Sequence, residues 1–203
     1  MIVIIDYGVG NLASVKNALD KLGAKSVISS DPEVIKKAKA LILPGVGAAG
    51  QGMKNLKEKG LDKVVINEIK KGKPFLGICL GMQLLFEKSE EGNVKCLGIL
   101  NGSVKKFRKM RKVPQIGWNQ IDMKQKSVLF KDLKDRSYFY FVNSFYCLPK
   151  DKKVIAGLTD YGETFASIVV KDNVMGVQFH PEKSGPVGFK LLENFAKGAS
   201  YVS

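Results

Sequence analysis

The sequence predicts an α/β protein whose doubly wound, mostly parallel sheet is extended by antiparallel strands in the C-terminal half. In the first half, short apolar runs alternate with helical repeats, which is the pattern of strand–helix–strand units. Those runs are continuous, as expected for parallel strands that are covered on both faces. After about Gly92 the segments become short and strand-like. Because we find no internal repeat or linker, one domain of residues 1–203 accounts for the whole chain.

The first half is expected to supply four parallel strands and the helices between them. The strands are predicted over Ile2–Asp6, Val27–Ile28, Ala40–Leu43 and Phe75–Ile78. Apolar residues at helical spacing over Leu12–Leu22 predict a first helix, which Gly23 ends. Asp31 is placed to cap a short second helix. Helical sequence over about Gln51–Lys71 is expected to break near Gly60.

The second half is expected to extend the sheet and to finish with a helix. Strands are predicted over Gly102–Phe107, Trp118–Met123, Tyr138–Val142, Val154–Leu158, Phe165–Lys171 and Val174–Phe179. The helix is predicted from about Val187 to Phe195. Strands that follow one another without helices between them favour mixed or antiparallel pairing.

The composition indicates an ordinary soluble protein, with 45% hydrophobic and 26% charged residues. No apolar run approaches the roughly 20 residues that span a bilayer, and the N-terminus lacks the features of a signal peptide. The three cysteines, Cys79, Cys96 and Cys147, form neither a disulfide framework nor a C-x-x-C motif, which fits a reducing cytoplasm. With a single histidine as well, we expect no metal and no organic cofactor.

The net charge of +14 is high, and lysine, which dominates it, is spread along the chain. One cluster stands out, Lys105–Lys112, where six of eight residues are basic. The charge is consistent with an acidic partner, with phosphorylated substrates nearby, or with general lysine usage. The cluster itself fits a solvated loop or an edge strand, since lysine protects sheet edges. A docking patch for an acidic partner is the next interpretation. Nucleic-acid binding is the least favoured because Phe107 is the only aromatic residue among the basic ones.

The segment Gly77-Ile78-Cys79-Leu80-Gly81 has the form glycine–x–nucleophile–x–glycine. Following a buried strand, this is the pattern of a nucleophile elbow with cysteine in place of serine. The sharp turn would expose Cys79 at the start of a helix, where the helix dipole favours the thiolate. The backbone N–H of Leu80 would face a developing oxyanion. A buried structural cysteine is the alternative interpretation of these five residues.

The segment Val174–Glu182 favours the catalytic interpretation. His180, the only histidine, ends an apolar strand and precedes a proline. Glu182 lies two residues further on, where the side chains of an extended segment point the same way. A carboxylate there would orient the imidazole, which completes a nucleophile–base–acid arrangement. We therefore predict a triad of Cys79, His180 and Glu182.

Two glycine-rich turns follow predicted strands, at Gly8–Ala13 and Gly45–Gly50. Both fit the dinucleotide pattern G-x-G-x-x-G/A, and Asp31 lies near the position of a ribose-binding acid. Two matches in one chain weaken both, because tight strand-to-helix turns generally require glycine. We expect the second turn to supply another N–H to the oxyanion, since it follows a strand near the elbow.

Taken together, these motifs resemble those of the class I glutamine amidotransferases, over essentially the whole chain. The segments that carry the resemblance are Ile5–Leu12, Leu43–Gly47, Gly77–Leu85, Val113–Asn119 and Gly176–Ser184. The first and fourth of them are most similar to the glutaminase subunits of imidazole glycerol phosphate synthases. The resemblance implies a flavodoxin-like core and hydrolysis of glutamine by Cys79, His180 and Glu182. It further implies a heterodimer in which ammonia passes to a cyclase subunit, a (β/α)₈ barrel.

The resemblance also implies roles for residues around the triad. The oxyanion would be held by backbone N–H groups of Leu80, Val46 and Gly47. Glutamine would contact Gly45, Gln83, Asn143, Ser144 and Phe145. The partner would lie against Gly8, Val9, Gly10, Asn11, Trp118 and Asn119.

The chain departs from the family pattern at three positions outside the triad. Asn143 and Gln115 stand where histidine is common, and Phe145 stands where tyrosine is usual. These changes affect the rim of the pocket and the partner face. They leave open a paralogous subunit that supplies ammonia to another synthase, such as an enzyme that amidates a surface sugar. A non-catalytic module and a cysteine hydrolase with another acyl substrate are less favoured, given the triad and Gln83.

Overall fold

The computed structural model, which describes residues 1–108 and 112–198, contains one large mixed sheet and a separate two-stranded ribbon. The strands of the sheet are β1 (Ile2–Ile5), β2 (Ser26–Ser29), β3 (Ala40–Gly45), β4 (Phe75–Cys79), β5 (Lys88–Ser89), β6 (Val94–Lys95), β7 (Gly102–Lys106), β9 (Asp122–Met123), β11 (Phe145–Pro149), β12 (Ile155–Asp160), β13 (Thr164–Lys171) and β14 (Val174–Val177). The ribbon consists of β8 (Gln115–Gln120) and β10 (Tyr138–Asn143). The helices are α1 (Leu12–Lys21), α2 (Pro32–Lys37), α3 (Ala49–Glu58), α4 (Leu61–Lys70), α5 (Leu80–Gln83) and α6 (Gly185–Gly198).

The strand order confirms the predicted fold class. Strands β2, β1, β3, β4 and β14 lie side by side and are all parallel. From β14 onward, β13, β11 and β7 continue the sheet in antiparallel pairs. The carboxyl ends of β3, β4 and β14 therefore meet at one edge near the middle of the sheet. That edge is where open α/β sheets bind their ligands.

Two hydrophobic cores cover the two faces of the sheet. Alternate residues of β1 divide between them, with Val3 and Ile5 in one core and Ile2 and Ile4 in the other. The first core is closed by α2, α3 and α4, and the second by α1 and α6. Continuous apolar strands are thus explained by burial on both faces. Full burial of each such side chain contributes about 1.5–3 kcal/mol.

Local signals in the first half are confirmed. Asp31 caps α2, with its carboxylate accepting a hydrogen bond of 2.8 Å from the Glu33 N–H. The predicted helical break falls at Gly60, which adopts a left-handed conformation with φ of +66° between α3 and α4. Glycine adopts this conformation without the steric cost that a Cβ brings.

The second half differs from the prediction in three ways. The single strand predicted over Trp118–Met123 is wrong, because β8 ends at Gln120 and β9 pairs with β12 in the other sheet. Strand β11 was not predicted. The predicted strand over Tyr138–Val142 does not extend the main sheet but pairs with β8. Strand pairing depends on long-range contacts, which the local sequence pattern of a strand does not specify.

The basic cluster lies only partly within the described residues, since 109–111 fall outside them. Lys105 lies in β7 and forms an ion pair with Glu90 at 2.6 Å, and Arg108 contacts the same carboxylate at 3.2 Å. Part of the cluster is therefore neutralised within the chain. In residues 1–108 and 112–198, no helix has the length and apolar character to cross a membrane.

Candidate active site

Cys79 occupies a strained turn between β4 and α5. Its φ of +54° and ψ of −109° are unusual for any residue other than glycine. A Cβ at Gly77 would lie 2.6 Å from the carbonyl oxygen of Gly81, and a Cβ at Gly81 would collide with the carbonyl of Leu43. The two flanking glycines are therefore required by the close approach of neighbouring backbone. This geometry is that of a nucleophile elbow.

The helix after the nucleophile is shorter than expected. Helix α5 has four residues, Leu80–Gln83, so the expected help from a helix macrodipole is small. What remains is the free N–H groups of a first helical turn, beginning at Leu80. Helix α5 therefore contributes individual N–H donors to the site and little dipole field.

His180 and Glu182 form a buried pair beside Cys79. Strand β14 pairs in parallel with β4, so the segment after Val177 runs next to the elbow. The Nδ1 atom of His180 lies 2.9 Å from Oε1 of Glu182, and the imidazole shares the cavity wall with Cys79. Burial by itself lowers the pKa of His180, but the hydrogen bonds and charges of Cys79 and Glu182 raise that pKa to about 10. This arrangement favours a protonated imidazole at neutral pH.

The ribbon fixes the backbone of His180. The His180 N–H donates to the Tyr140 carbonyl at 2.9 Å. The Ser184 hydroxyl donates to the His180 carbonyl at 2.7 Å and accepts from the Tyr140 N–H at 3.0 Å. The backbone of His180 is therefore fixed at its N–H by β10 and at its carbonyl by the turn before α6.

Two buried glutamines extend the hydrogen bonding around Cys79. The side-chain amide of Gln178 donates to the Cys79 sulfur at 3.6 Å, and Gln83 donates to Gln178 at 3.0 Å. The sulfur of Cys79 is thereby tied to a buried chain of two side-chain amides. Sequence reasoning predicted Gln83 as a substrate contact and missed Gln178. The available signal was the two-residue spacing, which places Gln178 and His180 on one side of an extended segment.

A glycine loop, Gly45–Ala48, faces the nucleophile from β3. Gly45 is the strand-register partner of Cys79, so the loop begins directly beside the elbow. Val46 is 43% exposed, and Gly47 has a φ of +108° with open space where a Cβ would lie. Gly45 itself lies beneath the loop, against Leu80 and Tyr7.

A cavity of about 380 Å³ joins these elements. It is lined by Val46, Gly47, Ala48, Cys79, Leu80, Gln83, Glu91, Pro114, Val142, Asn143, Ser144, Phe145, His180 and Lys183. Every predicted substrate contact except Gly45 is on this wall. Glu91 was not predicted; its carboxylate accepts from the Ala49 N–H at 2.8 Å. Within the described residues, the side-chain oxygen of Asn143 is buried and has no hydrogen-bond partner.

The residues predicted to face a partner lie outside this cavity. In the Gly8–Asn11 turn, the ends are exposed and the middle is half-buried, and Asn11 caps α1 by accepting from Ser14 N–H. On the ribbon, Trp118 is 55% exposed, and its neighbour Ile116 is 62% exposed. Asn119 donates to the Asp160 carbonyl at 2.8 Å. The described surface therefore carries an apolar patch on β8.

The fold and the site define a class I glutamine amidotransferase. Residues 3–199 match the family model "Glutamine amidotransferase class-I", and the chain belongs to that family. It is 52% identical over 203 residues to imidazole glycerol phosphate synthase subunit HisH of Aquifex aeolicus (strain VF5), with 99% of this chain and 98% of the relative covered. It is 48% identical to the subunit of the same name from Dehalococcoides mccartyi (strain CBDB1), with 98% of each covered.

The fold is also found among solved structures. A crystal structure of a glutamine amidotransferase superimposes with a TM-score of 0.79 at 21% identity, covering 98% of this chain and all of the other. At that identity the likeness concerns the fold. The family model and the relatives confirm, at the level of the family, the resemblance seen in the sequence motifs.

Proposed function

We infer that this chain is the glutaminase subunit of an imidazole glycerol phosphate synthase, acting in histidine biosynthesis. The observation that carries this is the buried Cys79–His180–Glu182 arrangement in a chain about half identical, end to end, to HisH subunits. The reaction is hydrolysis of glutamine to glutamate and ammonia.

The chemistry follows the geometry of the triad. The Cys79 sulfur attacks the side-chain amide carbon of glutamine, and the resulting oxyanion accepts hydrogen bonds from Leu80 and from Val46 or Gly47. His180 donates its proton to the departing nitrogen, which leaves as ammonia, and a thioester remains. His180 then takes a proton from water as that water attacks the thioester. The carbon–sulfur bond breaks, glutamate is released, and the thiolate of Cys79 and the protonated His180 are restored. Glu182 keeps the imidazole oriented throughout.

The cavity has polar groups that suit glutamine. Glu91 is an acidic group on the wall and is placed to receive the α-ammonium of the substrate. The unpaired oxygen of Asn143 can accept an N–H of the substrate. Gly45, Gln83, Ser144 and Phe145 complete the proposed contacts. A Glu91→Gln variant should raise the KM for glutamine about tenfold and leave kcat nearly unchanged, as measured by glutamate release.

The partner is proposed to be a cyclase with a (β/α)₈ barrel, in a heterodimer located in the cytoplasm. The exposed Trp118 and Ile116 side chains support a docking face on the ribbon, because large apolar residues exposed together indicate an interface. Asn119 and the Gly8–Asn11 turn are proposed to border it. Ammonia would pass directly to the cyclase.

The deciding experiment measures glutamine hydrolysis by the purified chain alone, and with the cyclase subunit of the same organism and its ligand. We expect a low rate alone and a rise of at least tenfold in the complex. Trp118→Ala should weaken binding to the cyclase while leaving the thermal stability of the free chain unchanged. If the rate does not rise in the complex although the triad is intact, a paralogue that serves another synthase is favoured instead. Asn143, Gln115 and Phe145, which depart from the family pattern, would fit that outcome.

A further inference from the structure

Tyr7, directly after β1, has a buried hydroxyl that the proposed mechanism does not use. Its side chain is fully buried, and its oxygen has no hydrogen-bond partner in residues 1–108 and 112–198. Buried hydroxyl groups in proteins are nearly always paired. Burial raises the pKa of Tyr7 far above its ordinary value, and the neighbouring Cys79 raises it further. The phenol is therefore a permanent O–H donor close to the nucleophile.

The hydroxyl lies against the strand end from which the glycine loop starts. A Cβ added to Gly45 would collide with the Tyr7 oxygen and would lie 3.0 Å from the Leu80 Cβ. Gly45 in turn is the register partner of Cys79. The unpaired donor thus occupies a narrow slot beneath the two backbone segments that are proposed to bind the oxyanion.

The loop above this slot has open space around it. Gly47 has the positive φ that glycine tolerates, no atom lies within 4 Å of its added Cβ, and Val46 is largely exposed. In a trans peptide the N–H and C=O point in opposite directions. When the Val46 N–H turns toward the oxyanion, the Gly45 carbonyl must turn away from it.

We propose that Tyr7 is a positioning residue whose hydroxyl donates to the Gly45 carbonyl when the loop presents the Val46 N–H to the oxyanion. This rests on the proposed glutaminase function and adds a regulated step to it. The partner face is connected to the same point, because a Cβ at Gly10 would lie 3.1 Å from the Gly45 Cα. Contact of the partner with the Gly8–Asn11 turn can therefore favour the state in which the Tyr7 hydroxyl donates to the Gly45 carbonyl.

The test is Tyr7→Phe, which removes only the oxygen, assayed as the complex with the cyclase and its ligand. We expect kcat for glutamine hydrolysis to fall about tenfold, with KM within about twofold, because the lost hydrogen bond acts on the oxyanion loop and not on substrate binding. The free variant should melt within about 2 °C of the wild type, or higher, because its hydroxyl is unpaired in that state.

Tyr146→Phe is the matched control. Tyr146 is half-buried, its ring packs on Phe107 and Phe165, and it is not on the cavity wall, so kcat should not change. The inference is overturned if Tyr7→Phe keeps full kcat in the complex, or if the free variant melts more than about 5 °C below the wild type, as a purely structural hydroxyl would. A wild-type complex that does not hydrolyse glutamine would refute the proposed function itself.

Discussion

The two sides of the active-site cavity differ in how their reacting groups are held. On the triad side (Cys79, His180, Glu182), a buried hydrogen bond of 2.9 Å joins His180 to Glu182, and Gln178 donates to the Cys79 sulfur. Only the second carboxylate oxygen of Glu182 is unpaired there within the described residues. On the side of the glycine loop, the Tyr7 hydroxyl is unpaired within the described residues and Val46 is exposed. The nucleophile and base are therefore preorganised, whereas the proposed oxyanion donors are not. This difference predicts that control of the rate lies with the loop.

The largest effect is expected from removing the nucleophile. Cys79→Ala should lower glutamine hydrolysis by a factor of at least about 10⁴, because no thioester can form, while circular dichroism shows an unchanged fold. Cys96→Ala is the control, since Cys96 is not on the cavity wall and burial raises its pKa to about 11, above that of an ordinary thiol. Activity that survives in Cys79→Ala would show that the triad side is not the reacting side.

Glu182→Gln tests the acid–base pair with less disruption. The amide keeps the shape of the side chain but removes the charge that supports the His180 cation at 2.9 Å. We expect kcat to fall on the order of 10²-fold with little change in KM, measured by glutamate release in the complex. A rise in KM as large as the fall in kcat would mean that Glu182 shapes the substrate pocket instead.

Gly45→Ala probes the loop side. The added methyl group meets the Tyr7 oxygen and Leu80, so we expect a loss of about 1–3 kcal/mol in the free energy of unfolding and a fall in kcat of about tenfold. Adding Tyr7→Phe should recover part of the stability by removing one of the colliding atoms. Gly50→Ala, a helical position with open space, is the control and should be neutral or stabilising. Urea denaturation measures the free energy of unfolding of Gly45→Ala, Tyr7→Phe, the double variant and Gly50→Ala. If the effects of Gly45→Ala and Tyr7→Phe simply add in the double variant, the contact between the two residues is disproved.

The smallest effect is the dependence on pH near neutrality. With its pKa raised to about 10, His180 stays protonated over pH 7–9, so turnover should change by less than about threefold there and fall as pH approaches 10. The same shift affects stability. Because the folded pKa exceeds the ordinary value, the pair contributes fully below about pH 6.5 and its contribution is lost as pH rises toward 10. A turnover profile rising steeply through pH 7 would indicate a neutral imidazole as the starting state.

The sequence predicted more of the fold in its first half than in its second. Parallel strands of continuous apolar residues, the cap at Asp31 and the break at Gly60 were all readable, because each follows from local periodicity or backbone sterics. The sequence did not predict the ribbon of β8 and β10 or strand β11. Their pairing depends on which distant strands meet, and the same short strand can pair in either sheet.

For the site, the sequence by itself determined the elbow and the association of His180 with Glu182. Glycines on both sides of Cys79 and a spacing of two residues are local facts with steric causes. The tertiary structure alone decided that Gln178 donates to the Cys79 sulfur, that Glu91 reaches the cavity, and that the Tyr7 hydroxyl lies beneath Gly45. These contacts join residues far apart in the chain. The Gln178 contact is set by the parallel register of β14 with β4, and the Tyr7 contact by that of β1 with β3, which only the packed sheet fixes.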